Sequence, residues 1–122
     1  MKKMLMIALS VLPFVAYADH LDVIQFELNE GCTFSEYLEI KNDFNANWGN
    51  KYGYSADVLS PLQSHDLTSL YWIGRSADAA SFGRAWDAWR SETADSDSVA
   101  GKLQARFGKC SKNVGRRSYD VY

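Results

Sequence analysis

The chain has 122 residues, of which 47% are hydrophobic and 14% are aromatic, and its formal net charge is −2. This composition is that of a globular protein and excludes a disordered chain, which would be richer in polar and charged residues. The acidic balance argues against a nucleic-acid partner, because binding to phosphates requires a basic surface. A small basic cluster, formed by Arg116 and Arg117 with Lys109 and Lys112, is interpreted as a solvated strand end.

The first eighteen residues, MKKMLMIALSVLPFVAYA, have the three-part pattern of a secretory signal peptide. A positively charged start is followed by an apolar run too short for a membrane span, and the segment ends in a small-x-small cleavage pattern. The alternative is an uncleaved anchor, which the immediately following polar residues Asp19 and His20 disfavour. The sequence predicts cleavage after Ala18, a secreted or periplasmic protein with no membrane segment after cleavage, and one domain over residues 19–122.

Two cysteines follow this segment, Cys32 and Cys110. Export would place them where thiols oxidise and disulfides persist. A bond between them would close a loop of about 79 residues, worth roughly 4 to 5 kcal/mol in the chain-entropy model. A catalytic or metal-binding cysteine would need a second ligand or a base at a recognisable spacing, and the sequence offers none. We therefore predict a structural disulfide.

The first half of the mature chain predicts a strand, a helix and a second strand. Residues alternate between apolar and polar from Val23 to Leu28, and a capping-box pattern, Thr33 with Glu36, follows. Aromatic and apolar residues then recur at helical spacing, with Gly49 as the expected C-terminal cap. Tyr54 to Leu59 predicts an edge strand that ends before Pro61.

The second half predicts a strand, a helix in two segments and a last strand. Leu70 to Arg75 is apolar on both sides, as in a central strand. A helix capped by Ser76 or Asp78 carries Phe82, Trp86 and Trp89 on one stripe. Its pattern is interrupted at 93–97 and resumes on the same side with Val99, Leu103 and Phe107, ending at Gly108, and the sequence VGRRSYDVY closes the chain as a strand.

The order strand, helix, strand, strand, helix, strand predicts an α+β fold of the ferredoxin-like βαββαβ type. This is a two-layer sandwich with a four-stranded antiparallel sheet and helices on one face. The first and third strands lie at its centre, and the last strand runs antiparallel beside the first. Cys32 and Cys110 would then stand at neighbouring strand ends, which agrees with the predicted disulfide.

The other face of such a sheet is open, and here it would expose Tyr71 and Ile73 or else Leu70 and Trp72. An apolar open face usually has a partner, so we expect a homodimer that packs through it. Over Val23 to Tyr122 the chain resembles, in architecture, the dimeric alpha-beta barrel superfamily, in which two such sheets pack face to face. That superfamily includes stress-responsive barrel proteins, the antibiotic-biosynthesis-monooxygenase family and NIPSNAP-like domains.

This resemblance implies a pocket between the sheet and the helices, used in some members for cofactor-free oxygen chemistry on aromatic substrates and in others for haem. Haem capture in such proteins needs an axial histidine on a helix, and neither predicted helix contains one. We therefore expect no cofactor. His65, in the turn before the third strand, has no assigned role.

The aromatic stripe allows two interpretations, ordinary core or the wall of a pocket. A small domain needs such residues in its core, yet four tryptophans are many for a chain of this length. In the pocket interpretation Trp86 or Trp89 would line a cavity with three aromatic residues of the first helix, and Arg75, Tyr71 or Asp57 could enter it, depending on strand parity. We expect Trp86 to be core and Trp89 to be the pocket residue. The candidate ligand-binding residues are Trp89, Trp86, Tyr37, Phe44, Trp48 and Arg75.

Two functional hypotheses remain. The sequence has no glycine-rich phosphate loop, no nucleophile elbow and no zinc-ligand spacing, so we predict no metal site and assign no catalytic residue. The favoured hypothesis is an exported, dimeric, non-enzymatic domain that binds a small apolar or aromatic ligand or a protein partner. The alternative is a cofactor-free oxygenase of the antibiotic-biosynthesis-monooxygenase type.

Overall fold

A computed structural model describes residues 19–122 of the chain; the predicted signal peptide, residues 1–18, lies outside the described residues. No helix within residues 19–122 is long and apolar enough to cross a membrane. The elements, in chain order, are β1 His20–Leu28, α1 Phe34–Asn47, a 3-10 turn Gly49–Tyr52, β2 Ser55–Leu59, β3 Leu70–Ser76, α2 Ala79–Thr93, α3 Val99–Cys110 and β4 Ser111–Asp120.

The four strands form one sheet in the order β2-β3-β1-β4, and every neighbouring pair is antiparallel. β1 and β3 are central, with Val23 opposite Ile73, and β4 runs beside β1 with Asp22 opposite Ser118. The register of the β1–β4 pair shifts between Gln25 and Phe26. This is the ferredoxin-like βαββαβ arrangement, and the predicted fold class is confirmed.

The boundaries of several elements differ from the prediction. β1 begins at His20 rather than Val23, so three more residues pair with β3 and β4. The capping box of Thr33 and Glu36 is present, but Gly49 is not the cap of α1. Trp48 caps the helix, and Gly49 begins the 3-10 turn. That turn ends at Gly53, which has a positive φ of 65° that favours glycine.

The two segments of the predicted second helix are separate helices. Ser98 caps α3 by accepting a hydrogen bond from the backbone N–H of Gly101. α3 continues past the predicted end at Gly108 to Cys110, where β4 follows directly. Val99 lies in its first turn and is exposed, so it does not share the buried side of Leu103 as predicted.

The core lies between the sheet and the helices. Phe26 of β1 and Trp72 of β3 point towards the helices and pack with Phe44 of α1 and Leu103 of α3. The alternating positions face the other way, because successive side chains of a strand point to opposite faces. We call that side the open face; the residues that point to it include Leu21, Val23, Tyr71, Ile73, Arg75 and Arg117.

Cys32 and Cys110 lie within disulfide-bonding distance, as predicted, with 5.1 Å between their Cα atoms. Cys32 follows β1, and Cys110 ends α3 at the start of β4. The backbone also joins this corner, because the N–H of Asn29 donates to the carbonyl of Cys110 over 2.8 Å. The disulfide therefore connects the end of a central strand to the end of the last helix.

Candidate functional site

A cavity of about 360 Å³ lies between the sheet and the helices. Its walls come from all three helices and from β1, β3 and β4, together with Tyr54, which precedes β2. All four tryptophans of the chain, Trp48, Trp72, Trp86 and Trp89, line it. Its size and aromatic walls are those of a site for a small molecule.

Phe44 of α1 organises the apolar wall. Its ring packs edge-on against Trp72 of β3 at 5.0 Å and against Trp89 of α2 at 5.5 Å between ring centroids. Trp48, one turn later on α1, packs edge-on against Trp89 at 4.9 Å. Edge-to-face contacts are a preferred aromatic geometry, so one helix of the first half fixes rings from the second half of the chain.

A group of polar side chains, which we call the polar floor, closes one side of the cavity. It consists of Asp22, Tyr54, Trp72 and Arg116. Arg116 holds Asp22 with two hydrogen bonds, from Nε at 2.8 Å and from Nη2 at 2.6 Å. The Tyr54 hydroxyl donates to Asp22 over 3.0 Å and accepts a hydrogen bond of 2.8 Å from Trp72 Nε1.

Asp22 is only 1% exposed, and an isolated carboxylate in that position would be strongly destabilising. The paired guanidinium and the Tyr54 hydroxyl together supply the partners that a buried carboxylate requires. Gly74 of β3 makes room for this contact, because a Cβ atom there would overlap the Tyr54 hydroxyl. The polar floor therefore depends on one glycine as well as on its own four side chains.

Trp86 and Arg116 form the rim of the cavity. The guanidinium carbon of Arg116 lies 4.2 Å from the ring centroid of Trp86, a cation–π contact, and Trp86 is 36% exposed. The expectation that Trp86 is a core residue is thus wrong, whereas Trp89 lines the cavity as expected. Trp86 is not core but rim, whereas Trp89 packs tightly against Phe44 and Trp48 while also lining the cavity.

Glu92 of α2 orients Trp48 in the wall. Its carboxylate accepts hydrogen bonds from the indole N–H of Trp48 and, over 2.5 Å, from the hydroxyl of Tyr52. The bond from Trp48, followed by that from Tyr52, lowers the pKa of Glu92 below its usual range. The charged form is therefore the one that positions this side of the cavity.

The electrostatics of the polar floor favour binding over proton transfer. Burial, followed by the negative charge of Asp22, raises the pKa of Tyr54 far above its usual range, so its hydroxyl stays protonated. Both oxygens of Asp22 already accept hydrogen bonds. Arg116 uses two of its five N–H donors on Asp22 and keeps three for other groups.

The structure brings five of the six candidate ligand-binding residues to the cavity: Tyr37, Phe44, Trp48, Trp86 and Trp89. Arg75, the sixth, is not among them; it lies on the open face, 3.8 Å from the carboxylate of Asp19. Tyr71 and Asp57, which also depended on strand parity, share that face. His65 lies exposed in the loop between β2 and β3.

The four residues of the polar floor were not predicted from the sequence as a group. The predicted first strand began at Val23, which excluded Asp22 from the alternating pattern. If the strand is extended by one residue, Asp22 lies in phase with Ile24 and Phe26 and must point towards the helices. Arg116, interpreted as part of a solvated strand end, pairs instead with this carboxylate.

Outside the cavity, His20 occupies the start of β1. Its Nδ1 lies 2.8 Å from a carboxylate oxygen of Asp120, and its ring packs against Phe82 with 5.0 Å between centroids. Within residues 19–122, no group of three or more histidine, cysteine, aspartate or glutamate side chains is placed to hold a metal ion.

Fold and site together define a ferredoxin-like α+β protein with an aromatic cavity between sheet and helices. No family model and no curated protein matches the sequence. Two solved structures are similar in fold. A dimeric protein of unknown function with a ferredoxin-like fold from Bacteroides fragilis is 9% identical over 84% of this chain and 94% of its own, with a TM-score of 0.43. A dimeric ferredoxin-like protein of unknown function from Thermobifida fusca is 10% identical over 87% of this chain and 92% of its own, with a TM-score of 0.45.

Proposed function

We propose that this protein binds a small apolar molecule in the cavity, as an exported homodimer, without transforming it. The observation that carries the proposal is an aromatic-walled cavity of about 360 Å³ in which the buried carboxylate of Asp22 pairs with the partly exposed guanidinium of Arg116. Apolar walls supply most of the binding free energy of such a site, and a few placed polar groups supply orientation.

A cofactor-free oxygenase is the alternative, and one observation favours it. The cavity contains two titratable groups, Asp22 and Tyr54, in contact with each other. A general base must be within reach of the proton that it removes, and Asp22 is almost fully buried and already accepts three hydrogen bonds from Arg116 and Tyr54. Oxygen consumption by the purified protein with a bound phenolic ligand would favour the enzyme over the binding protein.

Binding is tested at the rim. Trp86→Ala should lower the affinity for N-phenyl-1-naphthylamine, a neutral fluorescent apolar probe, at least about tenfold, because Trp86 covers the cavity beside Arg116. The free energy of unfolding should fall by only about 1 to 2 kcal/mol, since the ring is partly exposed and loses mainly a cation–π contact and part of its burial. Probe titration and urea denaturation measure both.

Phe34→Ala is the matched control, because Phe34 is an aromatic residue of α1 that is 37% exposed and does not line the cavity. It should leave the affinity for the probe unchanged. Equal affinities of the wild type and Trp86→Ala, or no binding by the wild type, would contradict the proposed site.

The open face supports the homodimer. Val23 and Ile73 are directly opposite each other at its centre, and Tyr71 lies beside them, so an apolar strip crosses the two central strands. Ile73 is already buried within the single chain, and face-to-face packing with a second copy would remove the exposed parts of Val23 and Tyr71 from water. The positive charges of Arg75 and Arg117 lie on the same face and would remain at the edge of such an interface.

Tyr71→Asp should convert the dimer into a folded monomer, because it places a charge in an apolar interface at a position that does not contact the core. Sedimentation at tens of micromolar, with circular dichroism as a check on folding, measures the change. Leu62→Asp is the control, since Leu62 is 91% exposed in the loop after β2. A wild-type monomer at that concentration would contradict the proposed dimer.

A further inference from the structure

Among the buried residues that line the cavity, one has a polar side-chain group that the described part of the protein does not use. The indole groups of Trp48 and Trp72, the hydroxyl of Tyr54 and the carboxylate of Asp22 are all hydrogen-bonded to other side chains. The hydroxyl of Tyr37 is different: within residues 19–122 it has no hydrogen-bond partner. Tyr37 nevertheless lines the cavity and is only 3% exposed.

The position of Tyr37 is fixed by apolar contacts. Its ring stacks on Phe26 of β1 at 4.2 Å and lies 5.7 Å from the ring of Phe107 of α3. Burial alone raises the pKa of Tyr37 far above its usual range, so the group is a neutral donor and acceptor. The Tyr37 hydroxyl contributes no hydrogen bond to the described part of the fold, and phenylalanine would keep every one of these ring contacts.

The second polar group available to a ligand lies at the other end of the cavity. Arg116 keeps three N–H donors after its two bonds to Asp22, and its head group reaches the rim beside Trp86. Tyr37 stacks on Phe26. Phe26 is four residues from Asp22 along β1, which corresponds to a distance of roughly 14 Å at the rise per residue of a strand. Most of the remaining wall is aromatic, and Gln104, Ser111 and Asn113 also line the cavity.

We propose that Tyr37 and Arg116 recognise the two ends of one ligand, an elongated apolar molecule with a hydrogen-bonding oxygen at each end. This inference rests on the proposed function of the cavity and adds the ligand class and the residues that select it. The Tyr37 hydroxyl binds the oxygen at the inner end, and the free N–H groups of Arg116 bind the oxygen at the rim.

Three probes with one skeleton test the proposal: biphenyl, 4-hydroxybiphenyl and 4,4′-dihydroxybiphenyl, each measured by displacement of N-phenyl-1-naphthylamine. In the wild type, affinity should rise with each added hydroxyl. Tyr37→Phe should weaken binding of 4,4′-dihydroxybiphenyl about tenfold and leave that of biphenyl within about twofold, because only the first reaches the hydroxyl. Tyr122→Phe, the same change at a fully exposed residue, should alter neither.

A stability measurement separates ligand recognition from a structural role. Tyr37→Phe should unfold at a urea concentration equal to or above that of the wild type. Tyr54→Phe, which removes one hydrogen bond to Asp22 and leaves the indole N–H of Trp72 without its partner, should unfold earlier. Marked destabilisation by Tyr37→Phe would overturn the proposal.

The binding outcomes distinguish this inference from the proposed function. If the wild type binds all three probes and Tyr37→Phe binds them equally well, the role of Tyr37 is wrong while binding in the cavity stands. If the second hydroxyl adds no affinity in the wild type, the two-ended ligand is wrong. If the wild type binds no probe, both the inference and the proposed function fall.

Discussion

Replacing Cys32 or Cys110 by serine should lower the free energy of unfolding by about 4 to 5 kcal/mol. The two residues are 78 positions apart, so the bond removes a large number of conformations from the unfolded chain. A protein of this size has a total stability of about 5 to 15 kcal/mol, so the loss is a large share of it. Urea denaturation of the oxidised wild type and of each variant measures the difference.

The double variant Cys32→Ser/Cys110→Ser should be about as unstable as each single variant, because one bond is lost in every case. We predict export with cleavage after Ala18, so the intact mass should correspond to residues 19–122 and be two hydrogens below that of the reduced chain. Two free thiols in the native exported protein would contradict the disulfide, and a different first residue would contradict the predicted cleavage.

Arg116→Met should lower the free energy of unfolding by about 3 to 5 kcal/mol. The reason is the carboxylate that remains: Asp22 is almost completely buried and would keep only the hydroxyl of Tyr54. The same change also removes the cation that packs on Trp86. Denaturation at pH 7 measures the loss.

Arg106→Met is the matched control, because Arg106 also pairs with an aspartate, Asp43, at 2.7 Å, but both side chains are about half exposed. An exposed pair of this kind contributes about 0 to 1 kcal/mol. The double variant Asp22→Leu/Arg116→Met should recover most of the stability lost in Arg116→Met, since no buried charge is then left unpaired. A similar small loss at Arg106 and Arg116 would contradict the claim that the buried carboxylate of Asp22 depends on Arg116.

The sequence was sufficient for the fold, and the reason is that each element carries a local signal. Periodicity identified the strands, side-chain caps identified the helix starts at Thr33 and Asp78, and the two cysteines restricted how β1 and α3 could meet. Element ends were less accurate. β1 begins three residues early because pairing with two neighbouring strands extends it beyond its apolar pattern.

The site was predicted only in its apolar part. Helical spacing placed Tyr37, Phe44 and Trp48 on one side of α1, and these residues do line the cavity. The position of Arg75 could not be assigned, because a shift of one residue along a strand moves a side chain to the other face of the sheet. Arg116 could not be assigned either, because the register shift beside Gln25 changes the alternation of β4 and has no signal in the sequence.

The pairing of Asp22 with Arg116 has a consequence for the order in which the protein folds. The two residues are 94 positions apart, and β1 also needs β4 to complete its hydrogen bonding. Contacts of such long range form slowly, because the loop between them must close first. When the chain is synthesised from its amino terminus, β1 therefore lacks its neighbour β4 until the last residues have been added. The polar floor is completed only with the last strand, so an incomplete chain lacks Arg116, one of the two groups proposed to orient a ligand.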